Sequence, residues 1–322
     1  MIQSFRDSFE QLLPLLNEER LVTPEEVRRD PVLQRAADMG DMVLEYAFSH
    51  IFSKIEGMWG INEDGQPNAA FIPYGNEAIV LLTTGLCREL NEVGVHFASS
   101  DWLAQNPGVR ELYEPCKGYV SPAQCAELIY MYGIAVTLGH ELGHHQDLSH
   151  LSDIDATDAL ALQAEEISAD GHAIRACLQL VDNWAADRAP GAPDAQDALR
   201  KLGAVFLVLA SCIPLTINTL DSWASPVGEG YPRGAQRLAG TCVHVYEHFG
   251  KKSGFAATLY MAVLSGLAEY GIYSGPSDIR ALILLISNFD SELVEGQYSA
   301  FKYLLADRQL NDAIRRLNGA SE

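Results

Sequence analysis

Two histidines four residues apart, with a glutamate directly after the first, stand in the segment Gly139-His140-Glu141-Leu142-Gly143-His144-His145. On a helix, side chains at that spacing share a face, so both imidazoles can reach one metal ion. Glu141 then points to an adjacent face, beside the ion's open position, where a carboxylate can take a proton from water. The chemistry this spacing supports is metal-assisted hydrolysis, with His140 and His144 as ligands, Zn2+ as the ion and Glu141 as the general base.

A catalytic zinc takes three protein ligands and keeps a further position for water or substrate. Two residues compete for the third place. Glu166, in Ala164-Glu165-Glu166-Ile167-Ser168-Ala169-Asp170, falls on what reads as the next helix. Asp170 lies one turn further on the same face, where its carboxylate can accept from the outer nitrogen of His140 and fix that ring's tautomer. The rival is His150. From His140 to His150 the chain reads HExxHxxDxxH, with Asp147 where the metzincin pattern has the glycine that lets the helix turn. Aspartate tolerates the left-handed backbone better than most residues, but the only later methionine, Met261, sits in an apolar helical run and makes no methionine turn. Glu166 is preferred because it brings Asp170 with it. His145 and His172 read as structural or surface histidines.

Helical periodicity dominates the elements that must position these groups. Phe5 to Glu19, a capped start at Thr23-Pro24-Glu25-Glu26 and a run from Pro31 to about Ile55 form a helical front. Short apolar runs at Ala70–Tyr74 and Ala78–Thr83, parted by Gly75-Asn76, suit two small strands or a hairpin. A loop-rich stretch from Gly94 to Gly118 follows. Ser121-Pro122 then starts a helix that runs through His144. Further helices are expected at about Ala156–Ala185, Ala195–Leu220, Gly234–Phe249, Ala256–Tyr270 and from Ser277 onwards. The expected fold is mainly α with a small β-sheet (α+β), a zincin-like active-site helix flanked by additional helices. Three regions are expected: an N-terminal helical region (1–66), a metallopeptidase core (67–250) and a C-terminal helical region (251–322).

Composition narrows the partners. Acidic residues outnumber basic ones 43 to 22, a formal charge of −21, so a phosphate backbone is repelled and nucleic acid is not an expected partner. The six scattered cysteines show no metal or disulfide spacing and read as reduced thiols, and the N-terminal stretch lacks the pattern of a secretory signal. Both features point to the cytoplasm. Leu202 to Leu220 is free of charge and long enough to span a bilayer, yet Ser211, Pro214, Thr216, Asn218 and Thr219 crowd its second half. A buried helix is favoured there over membrane association.

On these residues the chain resembles the gluzincin peptidases, in particular the CAAX prenyl protease and heat-shock membrane peptidase group and the Lit-type phage-exclusion peptidases. The HELGH helix followed by Glu166-Ile167-Ser168-Ala169-Asp170 is similar to the way those families supply a third ligand and its neighbour. Asn68-Ala69-Ala70-Phe71 and Ile79 to Leu86 look like their NAF segment and the strand that leads into a helix, a small sheet that borders the substrate cleft. Tyr231-Pro232 through Arg237-Leu238 is similar to their HPxxxxRL element, with tyrosine in the histidine's place. The resemblance implies a zinc-dependent endopeptidase acting on a protein or peptide substrate, with Arg237 reaching back to the active-site carboxylates. Tyr231, Arg237, His244 and His248 compete as donor to the developing oxyanion. A metal-bearing sensor or partner-binding protein on the same fold is the alternative.

Overall fold

The computed structural model describes residues 2–16, 20–46, 52, 55–105, 110, 113–114, 117–151, 159–188, 203–213 and 215–217, together with 237, 241 and 244. Three helices open the chain: α1 (Phe5–Leu12), α2 (Pro24–Arg29) and α3 (Pro31–Tyr46). Each start has a local cause. Ser4 Oγ accepts from Asp7 N; Thr23 and Glu26 form a reciprocal capping box ahead of Pro24; and Asp30 Oδ1 accepts from Val32 N and Leu33 N.

Strands β1 (Glu56–Asn62), β2 (Ala69–Tyr74) and β3 (Glu77–Thr83) form one mixed sheet in the order β1-β3-β2, with β3 parallel to β1 and antiparallel to β2. The β2–β3 hairpin matches the expected pair, and Gly75, at φ 60°, takes the first central position of its two-residue turn, where a left-handed residue is required. β1 is an addition to the sequence reading. Its residues Gly57 to Ile61 are all buried, so it lacks the alternation that marks a half-exposed strand. Gly57 also serves the close approach of two backbones, since a Cβ there would lie 2.2 Å from Ala78 O. The sheet thus joins residues on both sides of the boundary expected at 66/67.

Both faces of β1 and β3 are covered. Trp59, Ile61, Ala78, Val80 and Leu82 enter the main core beneath the helices, while Met58, Ile79 and Leu81 meet Leu12 of α1 and Leu21 on the other side. This explains the unbroken apolar run of β3, which has no solvent-facing side.

Thr83 ends β3 and caps the next helix, α4 (Thr84–Ser99), by accepting from Leu86 N. α4 continues through Gly94 and takes in the first six residues of the stretch expected to be loop, and a short α5 (Trp102–Gln105) follows it. Gly94 is there for packing: a Cβ on it would lie 2.7 Å from Ala126 O.

Two 30-residue helices follow, α6 (Pro122–Leu151) and α7 (Ala159–Arg188). Ser121 and Gln124 cap the start of α6 reciprocally. Most of α6 from Ile129 to Leu142 is buried, as expected of a helix that is apolar on all sides. Residues 203–213 of the uncharged stretch are helical, and its buried side chains, Val205 to Ala210 among them, lie in the main core. Cys212 Sγ donates to Ile129 O of α6 at 3.2 Å. Among the described residues, no helix is long and apolar enough to cross a membrane. The helices expected from Ala256 onwards lie outside the described residues.

Candidate metal centre

Helices α6 and α7 meet closely at Gly143 and Ala169. A Cβ on Gly143 would lie 2.8 Å from Ala169 Cα, so only glycine permits this separation. On either side of Gly143, α6 presents His140 and His144, while α7 presents Glu166 and Asp170 on either side of Ala169. The small residues therefore bring two imidazoles and two carboxylates together in the interior.

His140 Nε2 and His144 Nε2 lie 3.1 Å apart, with their rings near perpendicular at 87°. Glu166 faces both, with Oε2 3.4 Å from His140 Nε2 and Oε1 3.6 Å from His144 Nε2. For ligands about 2.0–2.2 Å from a tetrahedral ion, the ligand-to-ligand separation is about 3.3–3.6 Å, so these spacings suit one small cation. Glu166 Oε2 is moreover buried without a hydrogen-bond partner, which is costly unless a cation meets it. Among the described residues, His140, His144 and Glu166 are the one such metal-capable group, and no fourth of those residues joins them as a ligand.

Both outer nitrogens are held. His140 Nδ1 pairs with Asp170 Oδ1 at 3.0 Å, and His144 Nδ1 with Glu165 Oε1 at 3.1 Å. Donation from each Nδ1 leaves the two Nε2 lone pairs free for a metal. Arg237, from beyond α7, clamps Asp170 in turn: Nε donates to Oδ2 at 2.8 Å and an Nη to Oδ1 at 2.7 Å, with both side chains only 1% exposed.

The field at the centre favours positive charge. Burial disfavours a charged His140, but Asp170 and Glu166 outweigh it and raise its pKa to about 10. Burial likewise opposes ionisation of the two carboxylates. Even so, Arg237 and His140 hold Asp170 well below its usual value, and His140 and His144 lower Glu166. A site that retains a proton this strongly would also attract a divalent cation. No known protein family matches this chain, and no curated protein or solved structure does either.

Glu141 lies on α6 directly after the first histidine and is partly buried. His150 lies on the same helix, which continues through Asp147 to Leu151 without the turn of the rival pattern. On an unbroken helix its backbone is about 9 Å along the axis from His144. The side chain of His150 lies outside the described residues, as do Tyr231 and His248. His244 is buried against α7, where a Cβ on Gly171 would lie 2.4 Å from its Nε2. His172 is buried and its Nδ1 accepts from Arg175 at 3.0 Å. His145 meets Phe71 of β2 edge-on, with ring centroids 5.5 Å apart, and burial lowers its pKa.

Glu165 is the site residue that the sequence reading missed. Its signal was the doubled acid Glu165-Glu166: neighbours on a helix differ by about 100°, so one can face the ion while the other reaches past it to a ligand's outer nitrogen.

Proposed function

We propose that this chain is a zinc-dependent endopeptidase in which His140, His144 and Glu166 hold the ion and Glu141 is the general base. The observation that carries the reading is a three-ligand group with both histidines oriented from behind and no fourth protein ligand among the described residues. A structural zinc is closed by four protein ligands, whereas a catalytic one keeps a place for a reactant. This arrangement also favours the enzyme over a metal-bearing sensor.

Bound zinc would supply Lewis acidity, making a water more acidic and polarising the scissile carbonyl. Glu141 takes the attacking water's proton and passes it to the departing amine. Asp170 and Glu165 keep the imidazoles in register, and Arg237 holds Asp170, which makes it a positioning group.

Strand β2 supports a polypeptide substrate. Thr83 N donates to Asn68 O, so by alternation Ala69 and Phe71 turn their own N–H and C=O groups to the outer edge of β2, which no described strand covers. An extended peptide can add there through its backbone, close to α6. The described cysteines, Cys87, Cys125, Cys177 and Cys212, are free and buried, in keeping with a reducing compartment such as the cytoplasm.

The test is Glu141→Gln. We expect purified protein to bind about one zinc per chain, and the variant to retain the metal while its cleavage of unfolded casein falls at least about a hundredfold, as loss of a general base implies. Undiminished cleavage would refute the assignment of Glu141.

A further inference from the structure

The row of α6 beside the metal ligands contains a second polar group. Glu141 and His145 are four residues apart and so share one face, offset to the same side of His140 and His144. That is the side on which the general base acts in the reading above. His145 also forms a contact between this row and the sheet, through its edge-on packing against Phe71. Phe71 is one of the two residues whose backbone groups turn to the outer edge of β2. The imidazole therefore lies where the metal helix and the strand adjoin.

Its two nitrogens are not equivalent. Nδ1 is buried and has no hydrogen-bond partner among the described residues. The ring as a whole is only partly buried, which leaves Nε2 as the nitrogen open to a ligand. A proton on Nδ1 would be a buried N–H without an acceptor, so the neutral ring carries its proton on Nε2. The exposed end of His145 is thus a hydrogen-bond donor fixed by packing on an aromatic ring.

We infer that His145 is a substrate-binding residue whose Nε2–H donates to a backbone carbonyl of an extended polypeptide lying along β2. This rests on the peptidase reading above and adds to it a side-chain anchor beside the backbone ladder. An amide carbonyl is the acceptor every residue of a polypeptide offers, so the contact fixes the depth of the chain in the cleft without selecting its side chains.

The experiment uses the full chain loaded with zinc and carrying Glu141→Gln, so that binding is read without turnover, with fluorescein-labelled unfolded casein as the probe. In that background His145 is changed to Gln, Asn and Phe. Glutamine places an amide N–H near the position of Nε2, asparagine places it near Nδ1, and phenylalanine keeps the ring against Phe71 with no donor. We expect Gln to bind within about twofold of the parent, and Asn and Phe to bind about fivefold more weakly, the loss of one hydrogen bond. Zinc content should be the same in all four proteins. Equal binding by all four overturns this inference and leaves the peptidase reading in place, and so does Gln binding as weakly as Phe. A parent that binds zinc but not casein overturns the polypeptide reading, and this one with it.

Discussion

On the His140 side of the metal centre, the orienting carboxylate is Asp170, 1% exposed and gripped through both oxygens by an equally buried Arg237. On the His144 side it is Glu165, 19% exposed, with one oxygen 3.1 Å from the histidine's Nδ1. The two arms perform the same task of holding an Nδ1–H, yet they rest on different physics. In the interior, charges attract strongly only because both have given up their hydration, so the Asp170–Arg237 arm is rigid and must be complete. The Glu165–His144 pair is partly buried, with side chains 19% and 15% exposed, so water screens it in part, and the Glu165 arm can tune its ligand with less consequence for the fold.

The largest effect should come from breaking the buried arm. Asp170→Ala removes the carboxylate that takes two hydrogen bonds from the buried Arg237, and removing one partner of such a pair costs about 3–5 kcal/mol. Urea unfolding of the metal-free protein measures this directly, without any contribution from zinc. A loss below about 1 kcal/mol, as for a screened surface pair, would erase the contrast between the arms.

The site was more legible in the sequence than the fold around it, and the reason is local. His140, His144 and Glu141 are fixed by a spacing of one helical turn, and the structure brings the first two together with Glu166. Tertiary packing decides what local pattern cannot. β1 went unread because a strand buried on both faces shows no alternation, and because Gly57 and Gly60, which argue against a strand locally, are there for the close approach of Ala78 and Leu12. Gly94 looked like the start of a loop for the same reason, since its missing Cβ serves Ala126 across a helix contact. Glu165 went unread because its partner lies 21 residues away across the α6–α7 crossing.

A change at the crossing should affect both arms at once. Gly143 lies between the two histidines, and a methyl group there meets backbone at 2.8 Å, not the end of a flexible side chain. Gly143→Ala must therefore separate α6 from α7. Overpacking of this kind costs about 1–3 kcal/mol, and the same displacement moves Glu166, Asp170 and Glu165 away from their histidines. Thermal melting and zinc competition against a chelator should both register the loss. If melting falls while zinc affinity is unchanged, the centre can follow the helices apart, and the crossing does not set its geometry.

The smallest effect belongs to the less buried arm, where it sharpens the comparison most. Glu165→Gln keeps an oxygen to accept from His144 Nδ1 but removes the charge, whereas Glu165→Ala removes both. Loss of a carboxylate behind a ligand histidine typically costs about 10–100-fold in metal affinity. For Ala we expect the lower end of that range, since water can replace a partly exposed partner, and for Gln only a few-fold loss. In the metal-free protein both should stay within about 1 kcal/mol of the parent on urea unfolding. That separation, affinity lost with stability kept, is what a screened arm predicts and a buried one forbids. If Glu165→Ala unfolds as readily as Asp170→Ala, the two arms are equivalent, and the exposure of Glu165 has no bearing on how the centre is held.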